Sequence, residues 1–74
     1  MTRADKIRKL ANAIKDYRGL YRESNGVWIY PPKHSALARV ELWIGRLNLP
    51  VKATVEAINN FHNVREYHAW IQAL

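Results

Sequence analysis

The chain contains no cysteine. That removes disulfide frameworks and thiolate metal ligands together, and it leaves the redox compartment open. Glycine occurs only at Gly19, Gly26 and Gly45, each isolated, so no glycine-rich loop can wrap a phosphate. Acidic residues number six against twelve lysines and arginines. No apolar run approaches the roughly 18 residues that a membrane span needs. The charged first ten residues also lead into no signal-peptide core. A cytoplasmic protein without membrane contact and without a cofactor is therefore expected.

What is present is apolar density in a short chain. Of 74 residues, 49% are hydrophobic and eight are aromatic, with Trp28, Trp43 and Trp70 among them. This is a folding composition, not a disordered one. A single domain over 1–74 is expected, near the lower size limit for folding unaided. Trp43 and Trp70 read as core anchors. The charge is lopsided: residues 1–33 hold eight Lys and Arg against three Asp and Glu, whereas residues 34–74 hold four against three. An excess concentrated at one end sets up a directional field that attracts polyanions or acidic protein surfaces.

Residues 3–18 carry Ile7, Leu10, Ala11, Ile14 and Tyr17 at helical spacing, which predicts an amphipathic helix. Thr2 stands as its N-cap with Asp5 three residues on, and Gly19 stands where a left-handed C-terminal residue is expected. Asp5 also precedes Lys9 by four residues, a pairing distance. Next, two short runs bracket Asn25-Gly26, a strong hairpin signal, and Pro31-Pro32 ends the second run. From Ser35, read as an N-cap, Leu37, Val40, Ile44 and Leu47 repeat helically beside Trp43. A further helix is expected from Val51 to about Asn60, with Val55, Ile58 and Phe61 inward. A last one is expected after Asn63, with Glu66 completing its cap and Val64, Tyr67, Ile71 and Leu74 inward. The expected class is α+β and predominantly helical: a basic N-terminal helix, a two-stranded antiparallel hairpin, then three short packed helices.

Chemistry-bearing constellations are sparse. His62 and His68 are six apart, off any shared helical face, and His34 is isolated beside the proline turn, so a metal site has no support. Ser24 and Ser35 fall at a turn and a cap, and Glu66 and His68 at i, i+2 point apart. A non-enzymatic protein without a small-molecule substrate follows. The residues that invite a partner are Arg3, Lys6, Arg8, Lys9, Lys15, Arg18, Arg22 and Lys33, joined by Trp28 and Tyr30 from the expected hairpin. They combine phosphate neutralisation with rings for stacking. Arginine with aromatics also marks energetic centres of protein interfaces.

In type, though through no motif, this small basic profile is similar to regulators carried by bacteriophages and plasmids. Such proteins bind DNA or attach to a host complex such as RNA polymerase. The expectation is a monomeric regulator of gene expression that binds the transcription machinery, or DNA or RNA, through its basic N-terminal helix and hairpin. A helix-turn-helix reader built from residues 35–74 is the alternative, although its last two helices bring only Lys52 and Arg65 as cations. A small structural or assembly protein is the third possibility.

Overall fold

A computed structural model describes residues 1–19 and 33–74. Among these residues there are four α-helices and no strand: α1 (Arg3–Arg18), α2 (Leu37–Arg46), α3 (Val51–Asn59) and α4 (Val64–Gln72), with one 3-10 turn, His34–Ala36, ahead of α2. The expected α+β class is thereby corrected: among the described residues the fold is all-helical. The hairpin expected over residues 20–30 lies outside the described residues. The physical reason for the correction is how the apolar stripe of α1 is covered. Leu10, Ala13, Ile14 and Tyr17 are buried in one cluster with Val40, Ile44 and Leu47 from the α2 region and Ile58, Phe61 and Tyr67 from the C-terminal half. Among the described residues this core is built by helices and the turns that join them.

The start and stop of α1 follow the sequence. Thr2 accepts from the Asp5 backbone N–H at 3.1 Å, and the Asp5 carboxylate accepts from the Thr2 N–H at 3.3 Å, completing a capping box. Those hydrogen bonds from Thr2 hold the Asp5 carboxyl below its ordinary range. Gly19 ends the helix at φ 63°, in the left-handed region, and returns its N–H to the Lys15 carbonyl. Lys33 donates its backbone N–H to the Tyr17 carbonyl at 2.7 Å.

The expected Ser35 cap is replaced. The 3-10 turn takes up His34–Ala36, so Ser35 sits inside that turn, and α2 begins after Ala36 with no side-chain cap. At its other end α2 closes in a Schellman motif. Leu49 N–H donates to Ile44 O at 3.1 Å and Asn48 N–H to Gly45 O at 3.0 Å, with Asn48 at φ 58°. Asparagine tolerates this left-handed geometry better than most residues, so it serves where glycine usually stands. Pro50 then precedes α3, since proline costs nothing at a helix start. Asn63 caps α4 by accepting from the Glu66 N–H at 2.9 Å. The Glu66 carboxylate accepts in turn from the His62 backbone N–H, which draws its carboxyl below the usual range.

Candidate functional site

Helix geometry sorts the cations of α1 into different environments. The buried residues fix the inner face, and the opposite side exposes Ala4, Arg8, Asn12 and Lys15 along the i, i+4 and i+3 steps of one ridge. Arg8 and Lys15 stand two turns apart, about 10 Å along the axis. Lys9 is exposed on the neighbouring flank and Lys6 is half-buried beside the core. Arg3 is exposed at the start of the helix and donates to the Leu74 carbonyl at 3.3 Å, tying the two described termini together.

The acids of this surface are already engaged. Asp5 pairs with Arg8 at 2.7 Å, not with Lys9 as the sequence spacing suggested. Asp16 is flanked by Arg39 at 3.2 Å and Lys33 at 4.0 Å. Lys6, Lys9 and Lys15 face no carboxylate within ion-pair distance among the described residues. The exposed side of α1 is therefore cationic on balance, and its two carboxylates do not offset that.

Arg18 does not join the exposed set. Only 8% of it is exposed. Its guanidinium turns inward and donates to the Ile58 carbonyl at 2.8 Å and the Phe61 carbonyl at 3.0 Å. Beside it, Tyr17 donates its hydroxyl to Asn59 Oδ1 at 2.7 Å. Together the last turn of α1 caps the C-terminal end of α3, where carbonyls lack helical partners and cations are favoured. Burial pushes the guanidinium pKa downward, and arginine still carries its charge there. Among the other expected binding residues, Lys33 is exposed, while Arg22, Trp28 and Tyr30 lie outside the described residues.

The C-terminal helices present a different surface. α3 exposes Val51, Lys52, Ala53 and Glu56, and α4 exposes Arg65, Glu66 and His68. Each shows one Lys or Arg balanced by one glutamate. Trp43 and Trp70 are half-buried rather than enclosed, and Tyr17, Phe61 and Tyr67 take the buried aromatic places. Tyr67 donates to the Ala11 carbonyl at 3.2 Å and so joins α4 to the middle of α1. On α2, Leu42 is 48% exposed and Arg46 lies 5.7 Å from the ring centre of Trp43.

No cluster of three His, Cys, Asp or Glu suited to a metal ion occurs among the described residues. No described helix is long and apolar enough to cross a membrane. Comparison with protein-family models, with curated proteins and with solved structures returned no match.

Proposed function

We propose that this protein is a small non-enzymatic regulator of gene expression that acts by binding nucleic acid through the exposed side of α1. One observation carries the reading. The ridge and flank of α1 hold Arg3, Arg8, Lys9 and Lys15 in the open, while Asp5 and Asp16 are occupied within the chain. Such a surface is matched to phosphates and releases counterions when it meets them. The neutral exposed faces of α3 and α4 favour α1 over the C-terminal helices as the contact, and those helices then serve as scaffold.

The test is a titration of labelled random-sequence duplex across rising salt. The proposal expects affinity to fall steeply, by orders of magnitude between about 50 and 200 mM, with several phosphates neutralised. Weak binding with a flat salt profile would refute it. A second reading, attachment to a protein complex of the transcription machinery, draws on the α2 surface. Leu42, the Arg46–Trp43 stack and Gly45 stand there, with open space above Gly45, and tryptophan with arginine is the usual make-up of interface centres. Affinity capture with and without nuclease separates the two. Loss of the captured material with nuclease fits the first, and a protein partner that survives nuclease and depends on Leu42 fits the second.

A further inference from the structure

Resting on the nucleic-acid reading, we infer that the partner is duplex DNA and that α1 enters its major groove, with Arg8 and Asn12 touching base edges. A major groove admits a helix, whereas the deep, narrow one of RNA duplexes does not. The ridge has the composition that base reading needs. Arginine offers a fork to guanine O6 and N7, a carboxamide pairs with adenine N6 and N7, and Lys15 farther along suits a phosphate. Asn12 is exposed and its side chain makes no hydrogen bond among the described residues, so its carboxamide is open to a ligand. Ala4, one turn before Arg8, keeps the ridge low enough for close approach.

Asp5 strengthens the assignment. Its Oδ1 sits 2.7 Å from Arg8 Nη2 while its other oxygen is held by the Thr2 N–H. A carboxylate fixed by the capping box thus holds a guanidinium that is itself 71% exposed at the side chain. A held fork loses less freedom on binding than a loose one.

The test selects bound sequences from a random duplex pool with the full chain and with Arg8→Lys, Asn12→Ala and Asp5→Asn, a thermal melt accompanying each variant. The expected result is an enriched motif. Arg8→Lys, which keeps charge but loses the fork, and Asn12→Ala should each relax one position, lowering the preference there roughly tenfold. Asp5→Asn should relax the same position as Arg8→Lys, an effect that a purely structural cap would not give. Salt-dependent binding with no enriched motif would overturn base reading and leave the proposed function standing. A motif unchanged in both Arg8→Lys and Asn12→Ala would move the reading helix elsewhere and equally overturn it. Absence of any duplex binding at low salt would remove both.

Discussion

The ridge of α1 and its last turn are built from the same residue types and put them to opposite uses. Arg8 stands in the open and, among the described residues, is held by Asp5 alone. Arg18, ten residues later, is buried on two carbonyls at the end of α3. Lys15 points outward, whereas Tyr17 reaches Asn59. The lesson is that a basic helix is not one electrostatic object. Its outward cations set the field, and its inward cation locks the helix to the rest of the fold.

That contrast can be broken at either end, and the stability effects should rank accordingly. Arg18→Met should be the most damaging change. It leaves two buried carbonyls without their charged donor and should cost about 2–4 kcal/mol, read as a lowered midpoint in urea. In so small a domain that loss should leave a large unfolded fraction. If Arg18→Met melts like the parent and binds less, the last turn belongs to the interface instead. Gly45→Ala should act in the other direction. This glycine lies in α2 with nothing near an added Cβ, so alanine should stabilise by about 0.5–1 kcal/mol. A drop in binding without a drop in stability would instead mark α2 as a contact face.

A smaller effect concerns the caps. The carboxyls of Asp5 and Glu66 are both held low by hydrogen bonds, so their folded pKa values lie below the unfolded ones. Their contribution is present above the unfolded values, near pH 4, and is lost as pH falls through the folded values. Helicity in circular dichroism should therefore decline modestly in acid, and Asp5→Asn with Glu66→Gln should flatten that decline. An unchanged acid profile in the double variant would show that other groups govern it.

Much of the helical layout was legible because its signals are local. Thr2, Asp5 and Gly19 bound α1 as their spacing indicates, and Asn63 with Glu66 marks the start of α4. At the end of α2, Asn48 ahead of Pro50 is a local stop signal, and Asn48 takes the left-handed place that glycine usually fills. Elsewhere a local rule had a competitor. Ser35 loses its capping role to the 3-10 turn that contains it. Within the candidate site, the cations of α1 were legible only as a set; the ridge that aligns Arg8, Asn12 and Lys15 emerges once the buried face is known. Arg18 could not be sorted from sequence, because its inward turn depends on Ile58 and Phe61 some forty residues away. The same holds for Trp43 and Trp70, whose half-burial is decided by how the helices pack.

The most direct measurement is duplex affinity of an Arg8→Glu, Lys15→Glu double variant, with its thermal melt recorded alongside. Exposed charges contribute little stability, so the melt should shift by less than about 1 kcal/mol in equivalent terms. Binding should meanwhile fall at least tenfold and its salt dependence should become shallower. A variant that folds normally and keeps full affinity would contradict the claim that the α1 ridge is the binding face.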